Sequence, residues 1–201
     1  AMNTSERNSP RVPTQAAEGL PRWRWTLDEF ERFIELGIFG EGDRVELIGG
    51  ELVPMSPKGN RHEHLRLMLQ RWFSRNLADD IDALPEPGWR PDREHYLEPD
   101  ILVVRAGDAL HQTPAGDVLL LVEVATSSMQ FDLATKVRIY AALGVHEYWV
   151  VDAVTLVTHV HRAPSAAGYA KLEAVPSEGE LTVERIPGLM LRLADLGVKP
   201  A

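Results

Sequence analysis

The sequence predicts an α/β fold organised around one strand–helix–strand unit, and three stretches carry that expectation. Val118–Ala125 (VLLLVEVA) is an apolar run of strand length whose single charge is Glu123, the pattern of a strand covered on both faces. Leu133, Val137, Tyr140 and Ala141 then repeat at helical spacing, with Ser127 and Ser128 as helix-start residues and Gly144 placed to end the helix. Tyr148–Val151 is a second apolar strand, closed by Asp152. Strands joined through a crossover helix run parallel, with a right-handed connection.

The remaining elements are placed in chain order. Residues 1–21 are polar, proline-containing and without periodicity, so a disordered tail is expected there and a single domain over 22–201. Thr26 and Glu29 form a capping-box pattern ahead of an amphipathic helix with Leu27, Phe30, Phe33, Ile34 and Ile38; Trp23 and Trp25 are expected on the same core. Arg44–Met55 reads as two strands around Gly49-Gly50, carrying Glu46 and Glu51. A second helix is expected over His62–Ala78, with Leu65, Leu69, Trp72 and Phe73 buried. Leu84–Arg93 reads as a proline-rich turn, Ile101–Val104 as a strand opened by Pro99-Asp100, and Arg105–Gly116 as a polar loop. Leu156–His161 and Tyr169–Val175 suggest an antiparallel pair joined by a loop containing Pro164 and Gly168. Leu181–Ile186 and Leu189–Leu193 read as short closing strands or irregular chain.

Composition narrows the function classes. Without cysteine, disulfides and thiolate zinc sites are excluded. No apolar run is long enough to span a bilayer and no charged-then-apolar leader is visible, so a cytoplasmic protein without membrane association is expected. The net charge of −9 argues against broad electrostatic capture of nucleic acid and leaves room for a local basic groove.

A carboxylate inside an apolar strand is costly unless it is paired or coordinates a cation. Glu123, Asp100 at a strand start and Lys136 on the following helix are therefore expected to converge. Two acids and an ammonium suit metal-assisted phosphodiester hydrolysis. The acids hold a hard cation and the lysine stabilises developing negative charge or steers water. Competing readings are ordinary ones. Lys136 stands four residues from Asp132 and could pair with it at the surface. Asp100 could be a plain turn acid. His159 and His161 are expected at the surface, and Tyr140 and Trp149 in the core.

The strings ELIGGELVPMSP with a following His62, EPDILVV, VEVATSS and DLATKVRIYAALGVHEYWVVD occur in that order. Through them, Arg44 to Asp152 resembles the Uma family (Uma-two-like) of restriction endonucleases, a bacterial group within the PD-(D/E)XK nuclease superfamily. The resemblance implies a restriction-endonuclease-like fold, a mixed central sheet flanked by helices, and magnesium-dependent cleavage of DNA, with manganese as a substitute. Asp100 matches the acid of the Pro-Asp pair, Glu123 the second acid, and Glu46 the acid near the start of the core. The carbonyl of Val124 is a further candidate metal ligand. Ala125 stands where the superfamily pattern wants a lysine, and Lys136 is expected to supply that ammonium from the helix. His62 is a candidate for phosphate or metal contact, or a solvated helix-end residue. Glu46 is alternatively an exposed hairpin residue. A homodimer fits an enzyme whose single site cuts one strand. The alternative function is a nuclease-like scaffold that binds nucleic acid or a protein without cutting, which the acidic charge and Ala125 favour.

Overall fold

A computed structural model of the chain describes residues 20–200 except 41, 108 and 127. The tail expected over residues 1–21 therefore falls, as far as residue 19, outside the described residues, and so does Ser127. The described residues form two compact units: one runs up to Ser56 and includes Asp92–Leu97, the other comprises Pro57–Pro91 and everything from Glu98.

In the first unit, helix α1 (Leu27–Glu35) starts as its capping box dictates. The Thr26 side chain accepts from the Glu29 N–H, and the Glu29 carboxylate accepts from the Thr26 N–H. Phe30 is buried against the rings of Phe39 and Tyr96, at 5.6 and 5.1 Å between centroids. The helix ends at Glu35, so Ile38 lies beyond it. Trp23, expected in the core, is 74% exposed; only Trp25 packs edge-on against Phe33, at 4.9 Å. Strands β1 (Val45–Ile48) and β2 (Glu51–Pro54) form the expected hairpin. Gly49 and Gly50 have φ of +55° and +79°, the pair of left-handed residues that a two-residue hairpin turn needs. The Leu47 and Tyr96 backbones exchange two hydrogen bonds of 2.9 Å, tying Asp92–Leu97 to the hairpin.

The second unit is a six-stranded mixed sheet in the order β3 (Ile81–Pro85), β4 (Ile101–Arg105), β5 (Leu120–Ala125), β6 (Glu147–Asp152), β7 (Thr158–Ser165) and β8 (Gly168–Val175). Only β5 and β6 are parallel; every other neighbouring pair is antiparallel. The strand expected from Val118 begins at Leu120; it lies parallel to the Tyr148 strand, as the crossover argument required, and beside the Ile101 strand. Helix α2 (Asn60–Asn76) buries Leu65, Leu69 and Phe73 against Ile101, Val103, Leu120, Val122 and Val124. Burying each such side chain contributes roughly 1.5–3 kcal/mol. Successive strand residues point to opposite faces, so Leu121 and Glu123 face away from α2. That second face is covered by a helical run in three pieces: α3 (Met129–Phe131), a π-helical turn (Asp132–Lys136) and α4 (Val137–Leu143), which Gly144 ends at φ +89°. Short strands β9 (Leu181–Thr182) and β10 (Met190–Leu191) pair separately.

Four sequence expectations need correction here. Ile81–Pro85 is an edge strand where proline suggested the start of a turn; an edge position tolerates Pro85 because one row of its backbone groups needs no partner. Ser128 has helical dihedrals and makes no side-chain cap. Pro164 belongs to β7, paired with Tyr169, and the turn is tighter than a loop from Pro164 to Gly168. His161 is buried, not superficial, with its ring stacked on Tyr148 at 5.5 Å; burial holds its pKa below the ordinary histidine value. Among the described residues no helix is long and apolar enough to cross a membrane.

Candidate active site

The sheet register brings the two sequence-selected acids together. Ile101 pairs with Val122 in the antiparallel β4–β5 ladder. Extending that register by one residue sets Asp100 opposite Glu123, and directly opposed residues share a face. Both lie at the C-terminal end of β5, and both are buried, at 1% and 5% exposure. The Val124 N–H donates to Asp100 Oδ2 at 2.7 Å, which fixes the Asp100 carboxylate against the backbone next to Glu123.

Each acid is held by its own set of donors. Asp100 Oδ2 is 2.9 Å from His62 Nε2, and Asp100 Oδ1 accepts from Lys58 Nζ at 2.6 Å. The loop ahead of α2 delivers Lys58 and the first turn of α2 delivers His62, which is buried and not solvated. Lys58 Nζ also donates to Glu86 Oε1 at 2.6 Å, and Arg66 Nη2 approaches Glu86 Oε2 at 3.5 Å. Burial opposes the charge on Asp100, but the His62 hydrogen bond and the Lys58 charge outweigh it and hold the carboxyl well below the usual range. For Lys58, burial works against the ammonium, and Asp100 and Glu86 together outweigh it and raise its pKa.

Glu123 Oε1 accepts from Lys136 Nζ at 2.8 Å and from the Tyr140 hydroxyl at 2.9 Å. Asp132, Lys136 and Tyr140 are successive buried residues four apart, so the helical run turns a polar row towards the sheet. The π-helical turn lies across that row: the Val137 N–H reaches the Asp132 carbonyl, which also accepts from the Tyr148 hydroxyl at 3.3 Å. Such turns recur at functional sites because the extra residue re-aims the side chains that follow it. Lys136 is therefore not an exposed partner of Asp132. It is a buried ammonium aimed at Glu123.

The structure thus brings Asp100, Glu123, Lys136, His62 and the Val124 backbone into one unit. Glu46 lies in the other unit, buried on β1 opposite Val53, so the exposed-hairpin reading of it fails. Sequence reasoning missed Lys58, Glu86 and Tyr140. Tyr140 was legible as the next residue of the Asp132–Lys136 row, although its aromatic ring argued for the core. Lys58 and Glu86 reach the site through contacts 42 and 28 residues long in sequence, with no local signature.

One expectation concerns pH. Unfolded aspartate titrates near about 3.9, and folded Asp100 titrates lower. Its stabilising contribution is therefore complete above the unfolded value and is lost as pH falls through the folded one. Lys58 has the opposite sign: its contribution is complete below the ordinary lysine pKa and is lost as pH rises through the raised folded value. Urea midpoints measured from about pH 2 to 6 should fall more steeply on acidification for the wild type than for Asp100→Asn; parallel curves would refute the assignment.

The chain superposes on the crystal structure of a protein from Anabaena variabilis described as a "putative nuclease belonging to DUF820", with a TM-score of 0.63 and 17% sequence identity over 85% of this chain and 96% of that one. At that identity the likeness establishes the fold. The family follows from the sequence itself: residues 27–194 match the model "Uma2: Putative restriction endonuclease", and the chain belongs to that family. No curated protein matches the chain.

Proposed function

We propose that the chain is a magnesium-dependent endonuclease hydrolysing phosphodiester bonds in DNA, with manganese as a substitute ion. The observation that carries this reading is that Asp100, one residue beyond the Ile101–Val122 pair of the β4–β5 ladder, is bonded to the Val124 N–H beside Glu123, each acid having an ammonium in contact. The donor set suits a hard cation: two carboxylates and the Val124 carbonyl are all oxygen donors. Magnesium is commonly bound by only one or two carboxylates, the rest of its shell being water and substrate phosphate. That fits a site where, among the described residues, no cluster of three or more His, Cys, Asp or Glu is poised for a metal.

A divalent cation held there supplies Lewis-acid polarisation of a phosphate oxygen. The chain's own groups do the rest. Tyr140 and Lys136 fix the Glu123 carboxylate, while the Val124 N–H and His62 fix Asp100. Lys136 and Lys58 place positive charge beside the acids, where negative charge grows on the phosphoryl oxygens in the transition state. The reading is tested on supercoiled plasmid in millimolar magnesium. The wild type should nick or linearise it, chelation should stop the reaction, and Asp100→Asn should be inactive. A wild type that leaves plasmid intact in both magnesium and manganese would sink the proposal.

A second reading is a non-cutting, nuclease-like scaffold. It is favoured by Ala125 in place of a lysine and by the internal neutralisation of both acids by Lys58 and Lys136. Calorimetric titration with magnesium separates the two: the scaffold need not bind the ion, whereas the enzyme must.

A further inference from the structure

Helix α2 carries charge of the sign opposite to the whole chain. Within Asn60–Asn76 stand Arg61, Arg66, Arg71 and Arg75 against the single acid Glu63, in a protein of net charge −9. Two of these arginines are engaged: Arg61 donates to the Ala153 and Lys199 carbonyls, and Arg66 to Glu63. Arg71 and Arg75 are exposed and make no hydrogen bond or ion pair with any described residue. With His64, also exposed, they occupy positions i, i+7 and i+11. At 3.6 residues per turn these fall within about 40° of each other around the axis and span about 16 Å along it. The opposite side of the same helix is the Leu65, Leu69 and Phe73 row packed on the sheet. The row is therefore held rigidly outward, and its N-terminal end begins beside His62, which touches Asp100.

We propose that the exposed row His64, Arg71 and Arg75 of α2 is the surface that holds the phosphate backbone of duplex DNA. This rests on the nuclease reading above and adds to it the surface that holds the substrate. Charge complementarity names the occupant: unpaired guanidinium groups on an acidic protein match a polyanion, and arginine suits phosphate through its planar fork of donors. No acid interrupts the row between His64 and Arg75. Beyond the helix, Asp79 and Asp82 repel a polyanion and mark where the row ends.

The test is binding, not cutting. A labelled duplex of mixed sequence is titrated with the full-length protein in calcium, without magnesium, over a range of salt concentrations. Each phosphate contact contributes about 0.9 to the slope of log affinity against log salt. Arg71→Gln/Arg75→Gln should therefore lower the slope by roughly 1.8 and weaken binding equally for unrelated sequences. Arg71→Lys/Arg75→Lys should restore most of the slope, because phosphate reads charge. An unchanged slope in the glutamine double variant overturns the inference, and so does a wild type that does not bind duplex DNA. Slope loss in a protein that never cuts leaves this surface standing and removes the nuclease reading. Normal cutting with an unchanged slope does the reverse.

Discussion

Glu123→Ala should lose DNA cleavage altogether, and it should also lose the rise in melting temperature that magnesium is expected to give the wild type. The carboxylate is one of two proposed to hold the ion, so its removal takes away both the chemistry and the linkage between ion binding and folding. There is a structural cost as well. Lys136 would remain in a site only 6% exposed without its carboxylate, and orphaning one member of a buried pair typically costs about 3–5 kcal/mol. Glu123→Gln is the informative companion. It retains an oxygen for the Lys136 and Tyr140 donors, so it should fold more stably than the alanine variant and still fail to cut. Cleavage by folded Glu123→Gln at the wild-type rate would show that the acid is not part of the reaction.

Lys136→Met separates chemistry from ion binding. Methionine keeps much of the aliphatic stem and removes the ammonium. Loss of one well-placed transition-state contact should lower the single-turnover cleavage rate by about 10²–10³. The lysine is not a proposed ligand, so calorimetry should still detect the ion. DNA affinity should fall only by about one phosphate contact in the salt dependence. Glu123 is then left buried with Tyr140 as a neutral partner, so a lower melting temperature is expected too. A folded Lys136→Met protein that cuts at the wild-type rate would move the required charge to Lys58, the other ammonium among these acids.

The sequence made the strand–helix–strand unit legible because its strands are buried on both faces and written in continuous apolar residues. Asp100 and Glu123 were legible for a related reason: a charge inside or at the mouth of such a strand needs an explanation, and the donors Lys58, His62, Lys136 and Tyr140 provide it. Strand β3 was hidden by Pro85, since an edge strand is specified more by the neighbour it pairs with than by its own residues. The π-helical turn left no trace in the apolar spacing. Leu133 and Val137, which the periodicity selected, are only half-buried, while the polar row Asp132, Lys136 and Tyr140 beside them is fully buried. Polar burial is invisible to a reading that equates core with apolar residues. Lys58 and Glu86 depend on contacts made only once the chain has folded.

The single parallel pair also bears on how the molecule forms. Strand pairs β3–β4, β4–β5, β6–β7 and β7–β8 join consecutive, antiparallel segments, and the entropy cost of closing a loop rises only slowly with its length. The β5–β6 ladder must instead wait until the crossover helix has docked, and it joins two antiparallel halves, β3–β5 and β6–β8, that can each begin without the other. Assembly of the two buried acids follows the same order. Asp100 and Glu123 meet within the first half, whereas Lys136 and Tyr140 arrive only with the crossover. Truncations in the helix–sheet packing, such as Ala141→Gly, should therefore slow refolding in stopped-flow experiments, while equally destabilising changes in the β7–β8 hairpin should mainly hasten unfolding.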